Sequence, residues 1–173
     1  YITGEIEIAD STVGYEDNGN TAKTGGGIYA SPESSLMVAR SIVSHNEAET
    51  HGGGIRINST AIAASITETE VLNNSATQGG GICVSESALA NISGSTNIEN
   101  NLADFGGGII TYAPSQVTIS SNSTLTSNHA NTSGGAIYTN SVVVINDSKI
   151  GGGLDLSNTA THGGGIYTTG DGN

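Results

Sequence analysis

Apolar residues alternate with polar ones at period two through short stretches of this chain. Ile6-x-Ile8, Val117-x-Ile119 and Val142-x-Val144 are typical. That spacing belongs to β-strands with one buried face. The stretches are short and are separated by clusters of Gly, Ser, Thr and Asn, which disfavour helix. Larger units repeat as well. Gly triplets begin at Gly25, Gly52, Gly79 and Gly106, spaced by 27 residues each, followed by Gly134-Gly135-Ala136 after 28 and Gly163 after 29. A further triplet, Gly151-Gly152-Gly153, is off register and predicts a local loop in a longer coil.

The rest of the unit repeats in step. Asn20, Asn46, Asn74, Asn101, Asn128 and Asn158 each precede a triplet by five or six residues, with Ala two positions after each Asn. Ile28, Ile55, Ile82, Ile109, Ile137 and Ile166 close the triplets, and Ile42, Val71, Ile98 and Leu125 lie upstream of the Asn in four coils. Short strands, turns and a fixed period of this length specify a solenoid. The expected fold is all-β: a right-handed single-stranded parallel β-helix of about six coils of 27–29 residues. The hand is taken from the crossover preference of parallel strands. Each coil is expected to hold about three strands and three turns. Residues 1–173 form one such domain, read as a segment or subunit of a longer solenoid or assembly.

Physical chemistry assigns the repeated positions. Coils stacked about 4.8 Å apart bring equivalent residues into columns. The Ile column should point inward. The Asn column should stack amide on amide at a turn, with the Asn in the left-handed region. Gly should supply positive φ and close backbone approach. Pro32 and Pro114 should end the strand that follows their triplets. The residues after each Ile (Tyr29, Arg56, Cys83, Ile110, Tyr138 and Tyr167) should form an outward column. Tyr29, Arg56, Tyr138 and Tyr167 could there face a sugar or protein partner, against the plainer reading of cross-strand packing. The next outward column, Ser31, Asn58, Ser85, Tyr112, Asn140 and Thr169, is too irregular for a flat Thr array that binds ice.

The segments IENNLADFGGGII, LTSNHANTSGGAIY and LSNTATHGGGIY resemble the repeats of polymorphic outer-membrane proteins and related bacterial secreted β-helix proteins. The pattern extends from about Val13 to Tyr167. In the best-known members a Phe opens the Asn motif, where this chain has an aliphatic residue. The resemblance implies export, and a role as an autotransporter passenger, adhesin or surface-layer material, at the cell surface or outside the cell.

Charge narrows the partners. Sixteen acids against four Lys and Arg leave a net charge of −12, and Lys23, Arg40, Arg56 and Lys149 cannot form the basic patch that nucleic acid or an anionic membrane requires. No apolar run approaches a membrane span. Cys83 is the single cysteine, which excludes an intrachain disulfide. The chain opens mid-pattern on ITGEIEIAD and closes on TTGDGN, ends expected to meet further coils or another copy.

Catalysis would need carboxylates brought together on neighbouring coils. Glu5/Glu7, Glu47/Glu49 and Glu68/Glu70 are local pairs, and Asp104, Asp147 and Asp155 lack a second Asp in register. No cofactor and no metal site is expected. The Gly-rich nonapeptide that binds calcium is absent, and Asp171-Gly172-Asn173 could only begin a carboxylate loop. Sequons occur at Asn58, Asn73, Asn91, Asn122, Asn131 and Asn146, which matter if the source glycosylates exported proteins. The favoured expectation is a non-enzymatic, exported, stiff stalk for adhesion or display. Its partners would be further coils, other copies, a surface glycan or a cell-surface protein. The alternatives are a filament subunit stacked end to end, and a carbohydrate-active lyase or hydrolase.

Overall fold

A computed structural model describes residues 4–58, 63–153 and 155–170. They form a parallel β-solenoid of about six turns, all β, with every strand pairing parallel to the equivalent strand of the next coil. The first sheet stacks Glu5–Ala9, Ser35–Ala39, Ala64–Thr67, Leu89–Ser93, Gln116–Ile119 and Val142–Ile145. The second stacks Thr12–Val13, Ile42–Ser44, Glu70–Leu72, Asn97–Glu99, Thr124–Thr126 and Lys149–Ile150. The third stacks Thr21–Thr24, Glu47–His51, Ser75–Gln78, Leu102–Phe105, His129–Ser133 and Thr159–His162. The fourth stacks Ile28–Ala30, Ile55–Ile57, Ile82–Val84, Ile109–Thr111, Ile137–Thr139 and Ile166–Thr168.

Each coil therefore carries four strands, where three were expected. The additional corner separates the first and second sheets. Asp10, Arg40 and Glu68 hold φ near +50° there. Behind them Ser41, Thr69, Thr96 and Ser123 are buried. Their hydroxyls return to nearby carbonyls, as in Ser41 Oγ to Ala39 O at 2.7 Å and Ser123 Oγ to Ser120 O at 2.7 Å. A hydroxyl that satisfies the local backbone lets the chain bend without burying an unpaired carbonyl.

The corner between the second and third sheets belongs to the Asn column. Nδ2 of Asn20, Asn46, Asn74, Asn101 and Asn128 donates to Oδ1 of the Asn in the next coil at 2.8–3.1 Å. The backbone N–H of each of these Asn residues donates to the same oxygen. A second Nδ2 proton reaches a carbonyl of the preceding coil, as from Asn101 to Val71 at 2.9 Å. The left-handed residue is not the Asn itself but its predecessor: His45, Asn73, Asn100 and Ser127 have φ of 53–56°. The Asn itself has no positive φ, and its side chain bonds to its counterparts along the stack.

Inward positions from all four sheets form one core. Ile55, Ile82, Ile109 and Ile137 are fully buried, and Val84, Ile66, Ile92, Val71, Ile98 and Leu125 fill the same column of space. Two apolar positions read from the sequence shift by phase. In the second sheet Val43, not Ile42, pairs with Val71, and Ile42 is exposed. In the first sheet Val143 and Ile145 pair with Val117 and Ile119, so Val142 faces solvent and the Val142-x-Val144 alternation is off by one. In the last coil Ile150 pairs with Leu125. Leu156 is exposed, because the Gly151–Gly153 segment lies between Ile150 and the Asn158 corner. Ile166, on the last described coil, is 46% exposed.

Candidate functional site

The corner between the third and fourth sheets is the Gly triplet, and it shapes the outer surface. The first Gly of each in-register triplet has φ between 58° and 71°, the left-handed region that Gly enters without steric cost. The second must be Gly for space, since a Cβ on Gly80 would lie 2.4 Å from Leu102 O and 2.7 Å from Gly107 O. Two columns of side chains flank this corner. The residues before the triplets are Thr24, His51, Gln78, Phe105, Ser133 and His162, joined in register. The residues after each Ile are Tyr29, Arg56, Cys83, Ile110, Tyr138 and Tyr167, also in register.

The columns touch. Phe105 and Tyr138 meet edge to face with centroids 5.6 Å apart, and His162 lies 6.4 Å from Tyr167. Tyr138 and Tyr167 stack at 5.4 Å with 27° between planes. Tyr112 donates its hydroxyl proton to Gln78 Oε1 and sets its ring 6.4 Å from that of His51.

The expected Tyr29–Arg56–Tyr138–Tyr167 face is thus not one continuous strip. Tyr29 is exposed and Arg56 half-buried, but Cys83 and Ile110 between them and Tyr138 are buried. Arg56 of the same column reaches over Cys83, its Nη1 3.6 Å from Sγ. The expected outward column at Asn58 and Ser85 is also covered: both residues are buried, and Ser85 Oγ donates to Asn58 Oδ1 at 2.8 Å. Asn58 is accordingly unlike the other sequon residues. Asn73, Asn91, Asn122, Asn131 and Asn146 are exposed, whereas Ser59 and Thr60 of the Asn58 sequon lie outside the described residues, as does the Asp171–Asn173 segment.

Burial pushes the Cys83 thiol up to about 12, with Arg56 opposing the shift. A thiol reacts as thiolate, so Cys83 should resist iodoacetamide near neutral pH while the chain is folded and alkylate once it is unfolded. Mass spectrometry before and after urea treatment reads this directly; stoichiometric labelling of the native protein would contradict the burial. Burial also lowers the His51 pKa, and the nearby Arg56 adds to it, against a hydrogen bond with Gln78. His51 is therefore held toward the neutral imidazole. Burial raises the Tyr112 phenol, which remains a hydrogen-bond donor at neutral pH.

Sequence reading placed Arg56 but missed His51, Gln78 and Tyr112 as its company. The signal was available in part: the residues before the triplets recur with the same period as those after the Ile, and both columns flank a corner with no side chains. Elsewhere, Asp104 accepts from Asn131 Nδ2 at 2.8 Å, and His129 reaches Thr159 and Asn131, all on the outer face of the third sheet. Among the described residues there is no group of three or more His, Cys, Asp or Glu side chains that could hold a metal ion. No helix there is long and apolar enough to cross a membrane.

Comparison with known proteins adds one match. Residues 116–140 match the Chlamydia polymorphic membrane protein repeat. They span the strands Gln116–Ile119, Thr124–Thr126, His129–Ser133 and Ile137–Thr139, one complete coil with its Asn128 and Gly134 corners. No curated protein and no solved structure matches the chain. The matched coil and the parallel coil stack together mark a β-solenoid repeat protein.

Proposed function

We propose that this chain is a non-enzymatic, exported, cell-surface protein whose coil stack is a stiff element for adhesion or display. The observation that carries the reading is the Asn column, hydrogen-bonded without a break from Asn20 to Asn158. A buried polar column satisfied at every rung fixes the coils against sliding and makes a rod of the stack, about 4.8 Å per coil. A rod holds what it carries at a fixed distance from its base. Three further features favour the surface setting: the one-coil match to a membrane-protein repeat, the acidic, lysine-poor composition, and five exposed sequon residues. The right hand assigned from the crossover preference belongs to the same reading.

The test is accessibility on intact cells that make the native protein. An antibody against the folded chain should label unpermeabilised cells, and an added protease should remove that label. Label that appears only after permeabilisation would refute the surface reading.

A second reading has its own observation. The coils at either end of the described stack have strands in the same register as interior coils, and Ile166, whose counterparts in interior coils are buried, is exposed on the last one. Unpaired strand edges accept further strands. A further coil of the same chain, or a second copy, would continue every column. In the second case the protein is a filament subunit.

A further inference from the structure

One concavity on the fourth-sheet side is chemically unlike the rest of the surface. It is an open hollow of about 610 Å³, lined by His51, Arg56, Ser85, Glu86, Tyr112 and Pro114, among others. That volume lies in the range of small-molecule sites, roughly 300–1,000 Å³.

Its centre is Arg56, one of four Lys and Arg in the chain. Arg40 shows what this surface does with an ordinary arginine: Asp10 takes it bidentate, Nε to Oδ1 and Nη2 to Oδ2, both at 2.8 Å. Arg56 is treated differently. Its Nη1 reaches the neutral Cys83 Sγ at 3.6 Å and its Nη2 reaches Ser85 Oγ at 3.2 Å. The ion pair found among the described residues is Arg40 with Asp10, so Arg56 has no carboxylate partner there. Ser85 gives its own proton to Asn58, which leaves its oxygen to accept from Arg56 and pin the guanidinium. A half-buried guanidinium held by neutral acceptors keeps an unmet preference for a carboxylate, which its fork matches in shape.

The walls narrow the ligand further. Tyr112 is fixed at its hydroxyl by Gln78 and offers a ring; rings of this kind accept an apolar face while their surroundings stay polar. His51 is held toward its neutral form and can exchange hydrogen bonds with hydroxyl groups. Glu86 stands on the exposed rim. Its carboxylate can accept hydrogen bonds from hydroxyl groups. A neutral sugar would leave the guanidinium unmatched, and an inorganic anion would leave the ring unused.

We propose that this concavity binds an acidic sugar: its carboxylate on Arg56, its C–H face against Tyr112 and its hydroxyls toward Glu86 and His51. The site gives the adhesive reading above a ligand, and rests on that reading only for its biological setting.

The experiment uses the purified chain and two probes that differ at one carbon, methyl β-D-glucuronide and methyl β-D-glucoside. Amide chemical shifts are followed by NMR during titration. The glucuronide should bind in the millimolar range, ordinary for a single sugar, shifting signals of Ser85, Glu86 and Tyr112. The glucoside should bind at least tenfold more weakly. Arg56→Gln should abolish the difference, whereas Arg40→Gln, on a different corner, should leave it unchanged. Tyr112→Leu should weaken the glucuronide severalfold, and an unchanged urea midpoint for each variant excludes unfolding as the cause. Equal binding of the two sugars, an undiminished response in Arg56→Gln, shifts that map elsewhere, or equal competition by inorganic phosphate would each overturn the proposal. Because purified protein is used, a failure here leaves the surface location intact, and failed surface labelling leaves the binding result intact.

Discussion

Replacing Asn101 with Ala should cost on the order of 3–5 kcal/mol, given roughly 1–3 kcal/mol for each buried polar group left unpaired. Asn101 Oδ1 accepts from both the backbone N–H and the Nδ2 of Asn74. Asn101 Nδ2 donates to Val71 O and to Asn128 Oδ1. Ala deletes all four bonds while Asn74 N–H and Val71 O stay buried inside the stack. Asn101→Asp should be no better. It keeps the shape but places a carboxylate against the Oδ1 of Asn128, in a buried site with no cation to pair it. The control is Asn20→Ala at the exposed first rung, expected to cost about 1 kcal/mol or less because water can reach the groups it frees. Urea titration with a backbone signal separates these outcomes. Similar midpoints for Asn101→Ala and Asn20→Ala would mean that the column adds nothing beyond its surface rungs.

The second large effect belongs to the Ile column. Ile82 and Ile109 are fully buried and pair directly in register. Either change to Ala should cost about 2–5 kcal/mol, the range for emptying a large aliphatic site in a close-packed core. Stability in a stack of this kind is roughly a sum of coil and neighbour terms, so a hole in the middle weakens contacts on both sides. The two cavities adjoin, and the double variant should therefore depart from additivity. Ile166→Ala, in the same column but 46% exposed, should cost about 1 kcal/mol or less. If Ile82→Ala and Ile109→Ala left the urea midpoint in place, the inward assignment of this column would be wrong.

The fold was legible to the degree that each corner carried its own residue type. The Gly corner and the Asn corner are rare signals in any composition, and both stood out at the coil period. The Ser/Thr corner at Ser41, Thr69, Thr96 and Ser123 did not. Its residues are common throughout this chain, and the positive-φ positions beside it are Asp10, Arg40 and Glu68, which carry no shared sequence cue. That one hidden corner accounts for four strands per coil in place of three. Phase errors at Ile42 and Val142 have a related cause. In IV and VVVI, apolar residues occupy successive positions, so alternation alone cannot say which points inward. Register with the neighbouring coil decides it: Val43 and Val143 continue the columns of Val71 and Val117.

The candidate site was legible in position and not in company. Arg56 lies outward by simple alternation from Ile55, and that much follows from strand geometry. The burial of Cys83 and Ile110 on the same face does not. Nor do the contacts made across the Gly corner, the Phe105–Tyr138 pair and the Tyr112–Gln78 bond. A column of residues read along one strand cannot reveal what a second column lays over it.

The most direct measurement is negative-stain electron microscopy of the native protein as shed or extracted from the cell surface. Discrete, straight particles of one uniform width are the predicted result, and long uniform fibres would give the subunit reading precedence over the single displayed stalk. Flexible threads of irregular width would contradict the stiff coil stack and, with it, the role proposed for this chain.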